Sequence, residues 1–191
     1  MLEGARWVAV ALSPDDAPSL QAFLDANPLY SEICYGRPWL PGDAAKELAD
    51  RPPPDWPQGP SHWWAVLERG TGRWLGLLTF TEDLLATHVW HLGLFLVATA
   101  EHGSGLAREL HAAWAAHARS DGARWLRLGV VRANSRALAF WDRLGYTEVR
   151  QRHGLKYGDL TQSISVQVQA LGDATIEEHL ARVERDRPES P

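Results

Sequence analysis

The residues whose types and spacing best suit chemistry are Gly103 and Gly105, which separate an apolar strand ending near Val97 from a helical run opening at Leu106. Glycine permits tight bending. The backbone N–H groups of Gly103, Ser104, Gly105, Leu106 and Ala107, with the positive end of the helix behind them, can therefore converge on a phosphate. A pyrophosphate-bearing cofactor is the expected ligand. Two common phosphate sites do not fit. A nucleotide-hydrolysing loop needs Gly-Lys-Ser/Thr, and no lysine lies between Lys46 and Lys156. A dinucleotide fingerprint needs a third glycine or alanine where Arg108 stands, and an acidic residue at the end of the next strand, where the chain reads WLRLGVVR.

Downstream lie Gly122, the apolar strand Trp125 to Val131 and NSRALAFWDRLGY from Asn134 to Tyr146. With Gly103 to Ala107 they make a pattern that resembles the coenzyme A site of the GNAT acyltransferases. NPLY at Asn27 to Tyr30, YGRP at Tyr35 to Pro38 and WHLGLFLV at Trp90 to Val97 are similar to one branch of that superfamily. The resemblance implies an α/β GNAT fold, with a mixed central sheet of about six to seven strands, helices on both faces and a splayed strand pair that binds coenzyme A. It also implies transfer of acetyl from acetyl-CoA to a primary amine of a small molecule or peptide, by direct attack in a ternary complex. A catalytically impaired CoA-binding sensor or interaction module and a protein N-terminal acetyltransferase are the alternatives.

By the same resemblance, the pantetheine arm runs beside Leu96 and Val97. A bulge in strand four then exposes an amide near Leu96 or Val97 as an oxyanion donor. Asn134 matches the asparagine that bonds the cofactor arm or local backbone, a helix cap being the competing assignment. Ala100 and His102 stand where the superfamily prefers Gln or Arg and where its loop usually has Arg. That substitution implies either a weaker pyrophosphate grip or one aided by protonated His102. Trp141 fills the slot of the family's general acid, a tyrosine. Indole donates no proton at neutral pH, so Trp141 is expected to pack beside the thioester. Gly129 occupies about the place where several relatives carry a carboxylate base.

An alkylammonium with a pKa near 10.4 is only about one part in 2,500 neutral at pH 7. A base is therefore needed, and His91 is the first candidate, ahead of His88, Glu82 and His153, because an unperturbed imidazole titrates near 6.5. A structural histidine satisfied by its neighbours is the competing assignment of His91. Tyr157 offers a hydroxyl for the departing thiolate, or else packs. Tyr30, Tyr35 and Arg37 are candidates for the acceptor groove, since aromatic faces bind apolar or cationic groups and arginine meets carboxylates. The alternative for Arg37 is a local ion pair. Most of the ten tryptophans are expected in the core.

The elements that must position these residues are legible from periodicity. Trp7 to Leu12 reads as a strand, and Ser13 caps an amphipathic helix running to about Ala26. Pro28 ends that helix. Asp43 to Asp50 suits a short helix, whereas Pro52 to Pro60 suits none. WWAVLER and RWLGLLTF form a hairpin around Gly70-Thr71-Gly72, and Trp90 to Val97 is apolar enough for a central strand. Leu106, Leu110, Ala113, Trp114 and Ala118 fall on one helical face. Ser135 to Leu144 is a further helix, and Tyr146 to Arg150 and Ser163 to Val168 are strands. Residues 1–170 are assigned to the GNAT domain and 171–191 to a loosely attached C-terminal extension with a Thr175/Glu178 capping box, fraying at Ser190 and Pro191.

Bulk composition agrees with a compact enzyme. The 191 residues suffice for one core. A formal charge of -5, from 19 basic and 24 acidic residues, makes nucleic acid a poor partner. Lone Cys34 rules out an internal disulfide, and no Cys/His spacing suggests a metal. No bilayer-spanning run or secretion signal is evident, so no membrane partner and a cytoplasmic location are expected. Exposed aromatics are compatible with a homodimer.

Overall fold

The computed structural model describes residues 2–190. The chain runs β1 (Trp7–Ala11), α1 (Ala17–Asp25), α2 (Leu29–Tyr35), α3 (Asp43–Ala49), β2 (Ser61–Glu68), β3 (Trp74–Thr81) and β4 (Val89–Val97). It continues α4 (Leu106–Ser120), β5 (Trp125–Val131), α5 (Ser135–Arg143), β6 (Thr147–Tyr157), β7 (Leu160–Ala170) and α6 (Ile176–Arg182). Seven strands form one sheet in the order β1-β2-β3-β4-β5-β7-β6. Only β4 and β5 run parallel, so the sheet is mixed.

Apolar side chains on both sheet faces demand cover on both. On one side α1 and α3 bury Leu20, Phe23, Leu24, Ala44 and Leu48 against Leu77, Leu94 and Leu96. On the other, the apolar stripe of α4 packs Leu106, Leu110 and Trp114 on Leu75, Leu78, Phe80, Trp90 and Leu126, with Trp141 of α5 in the same cluster. Full burial of one large apolar side chain is worth about 1.5–3 kcal/mol, so these two stripes fix the helices in place.

The feature that makes a site is a short pairing. β4 and β5 pair only from Val89↔Trp125 to Leu92↔Leu128, beyond which β4 stays on β3 and β5 stays on β7. At the point of divergence one extra residue, Gly93, lies between the pairs Phe80↔Leu92 and Thr79↔Leu94. This is a bulge, which bends a strand away from its neighbour. A Cβ at Gly93 would come within 2.9 Å of Thr79 Oγ1, so the hydroxyl beneath it explains the glycine.

One helix is added to the elements expected and two expectations are revised. A seven-residue helix, α2, occupies the stretch after Pro28 and ends at Gly36, whose φ of 72° suits glycine. The last two strands form a hairpin with arms of eleven residues each, longer than the two short strands expected, because the largely polar residues 151–157 pair with β7 along an edge where no apolar period is needed. Finally, the C-terminal segment is anchored. The α6 capping box forms as expected, but Val183, His179 and Asp186 are buried, and Asp186 accepts two hydrogen bonds from Arg127 of β5, each 2.8 Å. Arg150 donates to the Ser190 carbonyl; Pro191 lies outside the described residues.

Candidate active site

The splay opens two cavities that meet in the middle. One, of about 480 Å³, lies between the end of β4, the Gly103–Gly105 turn and α5. The other, of about 390 Å³, lies between β4, β5, α3 and the β6–β7 hairpin. Tyr30, Phe95, Asn134, Ala137 and Trp141 line both.

In the first cavity the turn is built as the glycines require. Gly103 and Gly105 have φ of 85° and 90°, and a Cβ at either would meet nothing within 4 Å. Conformation, not space, demands glycine here. The N–H groups of Gly103, Gly105 and Ala107 have no backbone or side-chain acceptor among the described residues, whereas Ser104 donates to the Glu101 carbonyl at 3.1 Å and Leu106 to the Ser104 hydroxyl at 3.3 Å. The expected five-amide cradle is thus a cradle of three, and those three residues line the cavity. Ser104 and Leu106 do not line it, and the Leu106 side chain is core.

Three guanidinium groups missed by sequence reasoning, those of Arg108, Arg136 and Arg143, line the same cavity. None has an ion-pair or side-chain hydrogen-bond partner among the described residues. Arg136 and Arg143 lie seven apart on α5, a spacing that puts them on one face. The turn also carries an anion, Glu101, held down to about 2 by hydrogen bonds from Arg6 at 2.6 Å and Arg73 at 2.9 Å. Both its oxygens are engaged by these arginines. His102 reaches the Val97 carbonyl at 3.2 Å while lining the cavity. Three amide donors, three unpaired cations and sufficient volume suit a diphosphate-bearing cofactor such as coenzyme A.

Leu96 and Val97 line this cavity, but their amides point opposite ways. Ala98 N donates to Leu75 O at 2.8 Å. Antiparallel pairs alternate between bonded and non-bonded, so Leu96 turns its N–H toward β3, while Val97 and Phe95 turn theirs toward the open splay. The Leu94 N–H is taken by Thr79 Oγ1 at 2.8 Å. Leu96 is therefore corrected as an oxyanion donor. Phe95, absent from the sequence-based candidates, is the open amide where the cavities join. Asn134 caps α5, its Oδ1 accepting from Ala137 N at 3.1 Å, and lines both cavities. Trp141 is buried against Phe95, His111 and Tyr146 at the same place.

The second cavity gathers titratable groups from distant segments. His91 lines it, yet burial and the adjacent Arg127 guanidinium, 3.2 Å from Nδ1, hold the imidazole down to about 3. Such a ring is a feeble base, and this weighs against the role expected of it. Glu47 of α3 was not anticipated. Burial, reinforced by nearby Asp50, pushes its carboxyl up to about 7. Its signal in the sequence, a glutamate on a short helix bracketed by prolines, is indistinguishable from a solvent-facing charge. Tyr35 and Tyr157 stack at 6.2 Å along the wall, and burial raises both hydroxyls. Burial holds Tyr30 protonated, well above the ordinary tyrosine range.

Arg37 is not part of this site. It donates to Asp43 Oδ2 and to the Pro38 carbonyl, both at 2.9 Å, and lines neither cavity. Asp43 is buried and also accepts from Leu40 N, so the arginine serves to tie α3 to α2. The other weighed bases are elsewhere: Glu82 bonds His62, His88 faces the Gly122 carbonyl and His153 bonds Ser163. Among the described residues no cluster of His, Cys, Asp and Glu suits a metal ion, and no helix is long and apolar enough to cross a membrane.

A mixed sheet whose parallel central strands splay beside a turn of open amides is the architecture of an acyltransferase. Residues 29–146 match the model of the acetyltransferase (GNAT) family, and the chain belongs to that family of acyltransferases. No curated protein matches the chain. A crystal structure of an acetyltransferase from Thermus thermophilus is similar at 20% identity, covering 90% of this chain and 100% of that one, with a TM-score of 0.70. Spermidine N-acetyltransferase from Vibrio cholerae, in complex with CoA and spermine, is similar at 16% identity over 87% and 96% of the two chains, with a TM-score of 0.66. The ribosomal-protein-S18-alanine N-acetyltransferase from Escherichia coli is similar at 16% identity over 89% and 97%, with a TM-score of 0.60.

Proposed function

We propose that the protein transfers acetyl from acetyl-CoA to the primary amine of a small molecule by direct attack in a ternary complex. The observation that carries this is the junction: the cavity lined by three open amides and three unpaired arginines shares Phe95, Asn134 and Trp141 with the cavity lined by Glu47. When bound, acetyl-CoA supplies an activated thioester. The amides of Gly103, Gly105 and Ala107, with Arg108, Arg136 and Arg143, hold the phosphates. Val97 and Asn134 orient the arm, and the Phe95 amide offers an oxyanion donor at the junction.

On the acceptor side, Glu47 takes the ammonium proton. A carboxyl near 7 is half ionised at neutral pH and is a far stronger base than His91. Tyr30, held protonated and shared by both cavities, is placed to offer a hydrogen bond to the departing sulfur, whose proton comes from the attacking nitrogen; Tyr157 lines only the acceptor cavity and serves as its wall. A small acceptor is favoured over a peptide because the proline-rich loop contributes to this wall. Trp56 of that loop lines the cavity, with Arg185 stacked over its ring at 4.3 Å.

The test is free-thiol release from acetyl-CoA across a panel of amines and N-terminal peptides, alongside calorimetry with CoA. Thiol release with a small amine is the expected result. Heat of CoA binding without thiol release from any acceptor would leave a sensor, and release with peptides alone would leave an N-terminal acetyltransferase.

A further inference from the structure

The acceptor cavity is lined by side chains of both charges. Glu47 of α3 and Asp50 just after it line this cavity, and so does Arg152 of β6. Arg152 is half-buried, and no hydrogen bond or ion pair joins it to any described group. Arg127 and Arg150 have partners of their own. Arg127 is paired bidentately with Asp186, and Arg150 donates to the carbonyls of Arg185 and Ser190. Burial and the like charges of Arg185, Arg150 and Arg127 all disfavour the Arg152 cation where it stands. No ion pair links Glu47 or Asp50 to Arg152 among the described residues, and the stacked rings of Tyr35 and Tyr157 line the same cavity.

A half-buried guanidinium without a counter-ion is left partly desolvated at a cost, and the fork of Arg152 suits a planar carboxylate bidentately. Resting on the amine-acetylation function proposed above, we infer that the acceptor is an amino acid-like zwitterion, its amine presented to Glu47 and Asp50 and its carboxylate to Arg152. A polyamine would set a second cation against Arg152 and is disfavoured.

The test compares 4-aminobutyrate and a set of L-amino acids with their methyl esters, and with spermidine, in the thiol-release assay and in calorimetry on CoA-loaded protein. Acids are expected to exceed their esters in kcat/KM by about ten- to a hundredfold, the worth of a charge-assisted hydrogen bond. Arg152→Gln should collapse that ratio toward one through KM for the acid, Arg152→Lys should restore part of it, and calorimetry should show CoA binding retained in both. Equal use of acid and ester by the wild-type protein, preference for spermidine, or a ratio untouched by Arg152→Gln would each overturn the inference. If no amine releases thiol, the transfer function fails, and the calorimetric preference of acid over ester then decides the carboxylate subsite by itself.

Discussion

Glu47, proposed above as the base, depends for that role on where it sits. An exposed glutamate near 4.3 is too weak a base for an ammonium ion, whereas burial beside Asp50 brings it up to about 7. The catalytic consequence has a definite sign. Activity at saturating acceptor should rise with pH as Glu47 loses its proton, with a midpoint near 7, and Glu47→Gln should abolish that limb while lowering kcat about a hundredfold or more. An unchanged kcat profile in the variant would remove Glu47 from the mechanism. His91→Ala should leave the midpoint in place, since His91 is already neutral throughout that range. The free guanidiniums on the cofactor side make a second prediction. Arg136→Gln and Arg143→Gln should each weaken coenzyme A about three- to tenfold at low ionic strength, and by less at high salt, because exposed charges are screened. Titration calorimetry at two salt concentrations checks it. At this scale the glycines were legible, because positive φ leaves few other residue types. Glu47 and the fate of Arg37 were not, since desolvation and pairing with Asp43 are created by tertiary packing.

The elements show how a sheet is opened without being broken. β3 and β7 keep their pairing with β4 and β5 while the two central strands part after Leu92 and Leu128, so the ladder bonds lost between them become directional donors at Phe95 and Val97. The sequence placed the apolar strands and the α4 stripe because periodicity reports burial. It missed α2, which is too short to show a period, and most of β6, where an exposed edge carries polar residues. The C-terminal extension was underrated for a related reason: a charged segment reads as solvent-facing unless its counter-charges are visible, and Arg127 lies far back in the chain. That pairing is itself testable. Asp186 is fully buried and holds both Arg127 and His179. Asp186→Asn should cost about 3–5 kcal/mol, by stranding a buried guanidinium. Differential scanning calorimetry should show a melting temperature lowered by about 6–20 °C. In the wild-type protein the Asp186 carboxyl is held well below the ordinary aspartate range by Arg127 and His179, against the cost of burial. Its contribution is therefore present above that range and is lost as pH falls through the depressed value. A melting temperature unmoved by the substitution would make the tail a passive appendage.

At the scale of the whole molecule, the formal charge of -5 repels a polyanionic cofactor at long range, so recognition must be local. Exposed Arg108, Arg136 and Arg143 gather at one mouth of the splay, while the acidic side chain of the turn, Glu101, is already neutralised by arginine partners. The cavity joins the α4–α5 layer to the α1–α3 layer through Asn27, Leu29, Tyr30 and the end of β4. A ligand lodged there ties both layers to the sheet, and a ligand that binds only the folded chain stabilises it by mass action. Coenzyme A at about one hundred times its dissociation constant should add about 2.7 kcal/mol, raising the melting temperature by about 5–11 °C for a chain of this size. Pantetheine, which lacks the phosphates, should give little of that rise. Gly105→Ala places a side chain at a φ of 90° with open space around it, so about 1–2 kcal/mol of backbone strain should lower the baseline without a steric clash. Its larger effect should be on the increment, because moving that residue off its conformation misaims the amides of Gly103, Gly105 and Ala107. A thermal shift with coenzyme A that survives Gly105→Ala undiminished would mean that the phosphates are held by the arginines alone.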